Sequence, residues 1–161
     1  MPIKQFSPKV DLDYLHPEFL RRLLDLLAEA RLLGYTYKVY SGYRSTDEQR
    51  VLHKLYLQGG NKAAPAGLSA HNYGLAIDCG RLMPDGKVSW LDADLEPLRE
   101  LCLKHTLDWG GFYADKPHIG LPGFVNGAQL LPLKQVYNNT LGDERTKINA
   151  VWATVDATLK P

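Results

Sequence analysis

Cysteine is scarce. The 161 residues hold two, Cys79 and Cys102, with no C-x-x-C pair, so one chain can build neither a thiolate zinc knuckle nor a dithiol redox motif; both read as free, buried thiols. Excess charge of either sign is also missing. Nineteen basic and eighteen acidic residues leave a formal net charge of +1 with the signs interleaved, which gives no field to draw nucleic acid or an anionic membrane. No apolar run is long enough to cross a bilayer, so stable membrane insertion is not expected. The first twelve residues carry Lys4, Lys9 and Asp11 and lack the apolar stretch of a secretory signal, so synthesis and initial residence in the cytoplasm are expected.

What remains is ordinary globular composition, 45% hydrophobic and 23% charged, in a length that suits one core. A single domain over 1–161 is therefore expected, with its motifs between about 35 and 125 and a helical extension over about 126–161. Pro17 opens a stretch in which Phe19, Leu20, Leu23, Leu24, Leu27, Ala30 and Leu33 recur at helical spacing, and Gly34 ends it. Tyr35 to Ser41 reads as a strand, and Ser45 with Glu48 forms a capping-box signature for a second helix that stops at Gly59-Gly60. Gly74 to Cys79 and the run through Val88 and Trp90 flank Pro84-Asp85-Gly86, which predicts a hairpin. Asp94 is expected to cap a third helix ending near Leu107, with short strands at Trp109 to Tyr113 and His118 to Leu121. In the tail, Ile148, Val151, Trp152, Val155 and Leu159 form a helical stripe behind a cap at Asp143, and packing against the core is the expected use of it.

Among the polar residues, His71 and Asp78 share the string Ser69-Ala-His-Asn-Tyr-Gly-Leu-Ala-Ile-Asp78, and Asp115-Lys-Pro-His118 adds a second imidazole with a carboxylate three residues before it. Imidazole and carboxylate both suit zinc, and a catalytic zinc needs three protein ligands and an open position for water. His71, Asp78 and His118 meet that count, which leaves Asp115 free to act as general base and acid. Gly110 and Gly111 let neighbouring backbone come close. Arg44, on the Ser41-Gly42-Tyr43-Arg44 turn, is the candidate to stabilise an oxyanion. Taken singly, each residue is better explained as core or surface; it is the joint arrangement that points to a site. His16, His53 and His105 have no carboxylate at comparable spacing and read as non-functional, while Tyr35, Tyr37, Tyr40 and Tyr43 read as strand packing.

These strings resemble those of the D-alanyl-D-alanine carboxypeptidase and L-alanyl-D-glutamate endopeptidase family of zinc enzymes, which includes many phage endolysins. The likeness covers about Ser41 to Leu121: Ser41-Gly-Tyr-Arg44-Ser with Gln49 five residues after the arginine, the Ser69 to Asp78 string, and Trp109-Gly-Gly ahead of Asp115-x-x-His118. It implies a small α+β domain, a central antiparallel sheet with flanking helices as in hedgehog and D-Ala-D-Ala peptidase folds. It also implies Zn2+ on His71, Asp78 and His118, catalysis by Asp115, oxyanion or carboxylate binding by Arg44, and hydrogen bonds to the peptide stem from Gln49 and Ser69. Phe112 stands where many relatives are acidic. The function so implied is cleavage of the L-alanyl-D-glutamate bond of the peptidoglycan stem by a monomer that reaches the wall after release during lysis. The alternatives are a D-alanyl-D-alanine carboxypeptidase or dipeptidase and a non-catalytic zinc-binding domain of hedgehog type.

Overall fold

Proline fixes φ near the helical value and has no amide hydrogen to leave unpaired in a first turn, so Pro17 starts helix α1 (Pro17–Leu32) where the sequence places it. The preceding His16 caps it, its Nδ1 accepting from the Glu18 amide at 3.2 Å. Phe19, Leu23, Leu26, Leu27 and Ala30 turn inward, and Gly34, at φ +91°, lets the chain reverse into strand β1 (Thr36–Ser41). This is a computed structural model, and it describes residues 5–160.

Tyr37 and Val39 of β1 are fully buried, and Val39 accepts the Ser7 amide. Helix α2 (Thr46–Leu57) carries the expected capping box between Ser45 and Glu48. Strand β2 runs from Ala76 to Leu82, two residues later at its start and three later at its end than the sequence suggests, because Gly74 is occupied in closing the turn before it. The hairpin forms as expected, with β3 (Val88–Ser89) returning along β2. After β4 (Asp108–Trp109) and β5 (His118–Gly120) the sheet order is β1-β2-β5-β4, with β3 beside the far half of β2 and every pairing antiparallel. Leu26 and Ala30 of α1 share one core with Leu98 and Leu101 and with Ile77, Cys79 and Ile119 of the sheet. The α+β class, a central antiparallel sheet with helices beside it, is as the sequence implies.

Three expectations fail locally. The third helix is two pieces, α3 (Asp92–Leu95) and α4 (Leu98–Lys104), because Pro97 cannot donate to the ladder. Asp94 is not its cap: it lies inside α3, and its carboxylate binds the Ser89 hydroxyl at 2.5 Å and faces Arg81 at 3.6 Å. Trp109 to Tyr113 is not one strand. After Trp109 the paired glycines enter a 3-10 turn (Gly110–Tyr113), which ends at Ala114 in the left-handed region, φ +63°.

The tail holds α6 (Glu144–Leu159), capped by Asp143 and burying Ile148, Val151 and Val155, and before it α5 (Gly127–Asn139). Sequence periodicity does not reveal α5, because Pro132 sits in its interior; the Asn126–Gln129 capping box starts the helix all the same. Cys79 and Cys102 are free and buried.

Candidate metal centre

Strand register alone brings Ser41, Asp78 and His118 into a row. Ser41 pairs with Asp78 across β1 and β2, and Asp78 pairs with His118 across β2 and β5, so the three side chains share a face. Ile77 and Cys79, fully buried on either side of Asp78, point to the core, so alternation sends the aspartate the other way. His71 comes from outside the sheet, on the 3-10 turn Ala70–Tyr73.

That turn is tightly specified. The Ser69 hydroxyl accepts from the His71 amide at 3.3 Å, and Gly74 ends the turn at φ +67°, where a Cβ would lie 1.9 Å from the Tyr14 carbonyl oxygen. Asn72, fully buried, accepts from the Gly67 and Ser69 amides and donates to the Arg44 carbonyl at 3.0 Å. His71 Nδ1 lies 2.8 Å from the Gly42 carbonyl and must donate to it, which leaves the Nε2 lone pair facing Asp78 Oδ2 at 3.3 Å. Across the site His118 Nδ1 stands 3.6 Å from Asp78 Oδ1.

Ligand atoms of His71, Asp78 and His118 all lie within 4.8 Å of one another. Donors held at about 2.1 Å around a tetrahedral ion are roughly 3.4 Å apart, so this set fits one zinc-sized ion with small side-chain adjustment. Two imidazoles and a carboxylate are also the donor chemistry zinc takes. The Ser41 hydroxyl donates to Asp78 Oδ2 at 2.8 Å and fixes that carboxylate, a contact the sequence alone does not disclose.

Burial by itself would raise the Asp78 pKa, but His71 and His118 outweigh it and hold the carboxyl well below the usual range. Burial likewise works against a charged His118, and Asp78 and then Asp115 overcome it, so that its pKa is raised. Asp115 is different. Its side chain is 53% exposed at the rim, 3.8 Å from His118 Nδ1, and its pKa is raised, first by partial desolvation and then by the Asp78 charge, against the pull of the two histidines. Gly110 makes this approach possible, since a Cβ there would fall 2.0 Å from the Asp115 carbonyl oxygen and 2.7 Å from His118 Cβ.

Arg44 stands on the loop after β1, its amide donating to the His71 carbonyl at 2.9 Å and its Nη1 to Gln49 Oε1 at 3.0 Å. Gln49 is 1% exposed and its Nε2 is taken by the Ala64 carbonyl, so it positions Arg44 and offers a substrate nothing. Ser69 is half-buried and serves first as the cap of the His71 turn. Tyr113 escapes sequence reasoning: its ring lies 6.1 Å from His118, and its hydroxyl donates to Asp108 at 2.6 Å. His16 and His105 do have carboxylate partners, Asp156 at 2.7 Å and Glu29 at 2.5 Å, both far off in sequence and away from the centre.

A family profile described as VanY: D-alanyl-D-alanine carboxypeptidase matches residues 12–96. A D-alanyl-D-alanine carboxypeptidase of Enterococcus faecium is 34% identical over 86 residues, which are 49% of this chain and 27% of that protein, so the chain spans about a quarter of that relative. The peptidoglycan L-alanyl-D-glutamate endopeptidase CwlK of Bacillus subtilis is 32% identical over 123 residues, 65% of this chain and 72% of the relative. The zinc-bound D,D-pentapeptidase VanY of a VanB-type vancomycin-resistance cassette shares the fold, with a TM-score of 0.52 at 20% identity over 75% of this chain and 78% of that one. With over half its length matched by the profile, the chain belongs to the VanY D-alanyl-D-alanine carboxypeptidase family.

Proposed function

We propose that this protein is a zinc peptidase that hydrolyses the L-alanyl-D-glutamate bond of the peptidoglycan stem, with His71, Asp78 and His118 holding the metal. One observation carries the reading: three donors from three separate elements converge within 4.8 Å, and a fourth, half-exposed carboxylate stands beside them outside the set. A structural zinc site uses four protein ligands, so three donors suit a site with an open position. Bound there, zinc supplies a Lewis acid that polarises a carbonyl and brings the pKa of water to about 7.

Asp115 takes a proton from the attacking water and hands it to the departing amine. Its raised pKa suits both halves of that task. Arg44 donates to the oxyanion, and Gln49 holds the guanidinium so that little reorganisation is needed as charge develops. The Ser69 oxygen accepts from the His71 amide and keeps its own proton to donate to a stem carbonyl.

The choice of bond rests on CwlK, of which this chain spans 72%; the Enterococcus relative and the family description favour the second reading, removal of a terminal D-alanine. Digesting purified peptidoglycan and weighing the products separates them. New amino-terminal D-glutamate is expected, and release of D-alanine alone refutes the first reading. In its finer form the proposal is a lytic enzyme of bacteriophage type, made in the cytoplasm and meeting the wall on release. Purified protein added to permeabilised Gram-negative cells should then clear them.

A further inference from the structure

The face of the sheet that bears the metal centre continues past it into an aromatic ledge. Gly80 follows Asp78 by two residues in β2 and so points the same way. A Cβ at Gly80 would meet Val88 Cγ1 at 2.4 Å and Trp90 Cε2 and Cζ2 at 3.2 Å; the indole lies over this glycine. Tyr40, at the bulge between Val39 and Ser41, packs on Trp90 with ring centroids 5.4 Å apart. Core packing does not account for the pair, because Trp90 is 47% exposed. Trp109 and Trp152 donate their indole N–H to the Lys116 and Tyr73 carbonyls, whereas that of Trp90 has no acceptor among the described residues.

An exposed ring face with a free donor at its edge suits a ligand that is apolar on one side and rich in hydroxyls at its rim, which describes a pyranose. We propose that Trp90 and Tyr40 form a subsite for the sugar that carries the peptide stem, an inference that rests on the reading of this chain as an L-alanyl-D-glutamate peptidase. The span fits. Two residues of strand place Gly80 about 6.7 Å from Asp78. Six bonds, two peptide-like repeats, separate the carbonyl carbon of the stem alanine from the sugar ring through the lactyl ether, about 7 Å when extended.

The direction fits as well. Lys38 pairs with Gly80 and Ser41 with Asp78, so β1 carries the chain away from Trp90 toward Arg44. The cation therefore stands on the opposite side of Asp78, where the acidic D-glutamate would lie. The neutral sugar falls at the aromatic end.

The test compares N-acetylmuramyl-L-alanyl-D-glutamate with lactoyl-L-alanyl-D-glutamate, which differ only by the pyranose, on the zinc-loaded protein. KM for the sugar-bearing substrate should be lower on the order of tenfold, the scale of one good aromatic stack. Trp90→Ala should collapse that ratio toward one, and Trp90→Phe, which keeps a ring over Gly80, should retain most of it. Equal KM values in the wild type, or a Trp90→Ala protein with an unchanged ratio, overturn the subsite. Should neither compound be cut, the bond assignment fails, and the subsite is judged alone by titrating the protein with a GlcNAc-MurNAc disaccharide. A saturable tryptophan fluorescence change that Trp90→Phe lacks upholds it, and its absence refutes it.

Discussion

Two carboxylates compete for a proton at the metal centre, and their surroundings push them apart. Asp78, flanked by imidazoles and bonded by Ser41, stays ionised; Asp115, at the rim and near the Asp78 charge, takes up a proton more readily. Asp115→Asn keeps the shape and removes the base, so turnover of sacculi should fall by about 10²- to 10⁴-fold while bound zinc, measured by elemental analysis, stays near one per chain. His118→Ala should lose both activity and metal. An Asp115→Asn protein of full activity would refute the assignment. These residues were legible only jointly: each alone has commoner uses, and it is two imidazoles with two carboxylates in those strings that point to a metal. Ser41, Asn72 and the Gly42 carbonyl were not, since a hydroxyl, an amide or a backbone oxygen carries no sign of its partner until strand register supplies one. Histidines mislead for the same reason: the Asp156 that meets His16 lies 140 residues away.

The helix starts at Pro17, Ser45 and Asp143 were legible in their side chains, whereas the cap expected at Asp94 and the strand expected through Tyr113 were not what formed. The capping boxes at Ser45 and Asn126 are the same device, but only the first precedes an uninterrupted helical pattern; Pro132 hides the second. Gly110 and Gly111 looked like permission for close approach, which is correct, yet the 3-10 turn they form followed from contacts invisible in the sequence. Gly74 permits a sharper statement. Alanine there would adopt a left-handed φ and drive a methyl into the Tyr14 carbonyl, so Gly74→Ala should lower unfolding free energy by about 2–4 kcal/mol in urea melts and loosen the His71 turn. At the start of α1, hydrogen bonding from Arg21 and then from Arg22 outweighs burial and lowers the Glu18 pKa to about 2. A depressed carboxylate contributes stability above its unfolded value, near 4.5, that is lost as pH falls toward 2. Glu18→Gln should therefore lower Tm modestly at pH 7, where the contribution is present, and flatten the fall between pH 4.5 and 2, so that the two proteins converge near pH 2.

Across the whole molecule, the tail and the metal bear on the same loops. Trp152 of α6 donates to the Tyr73 carbonyl at the end of the His71 turn, and Tyr43, next to Arg44, donates to Glu144, so the helices beyond Asn126 brace the centre as well as covering the core. Zinc should stiffen this assembly from the inside, in competition with protons. In the metal-free protein the raised His118 pKa gives stability that is complete below the unfolded value, near 6.5, and lost as pH rises through the folded one. The depressed Asp78 pKa gives stability present above its unfolded value, near 3.8, and lost only as pH falls through its folded value. The ion pair therefore steadies the empty site most between those limits. Zinc needs His118 neutral, so its apparent affinity must drop as pH falls through the raised His118 pKa. The gain in Tm on adding zinc to chelator-stripped protein should be largest near pH 8 and shrink steadily toward pH 5.5, with His118→Ala showing little gain at any pH. A zinc-dependent gain that is constant over that range would mean that the metal is not held by these side chains.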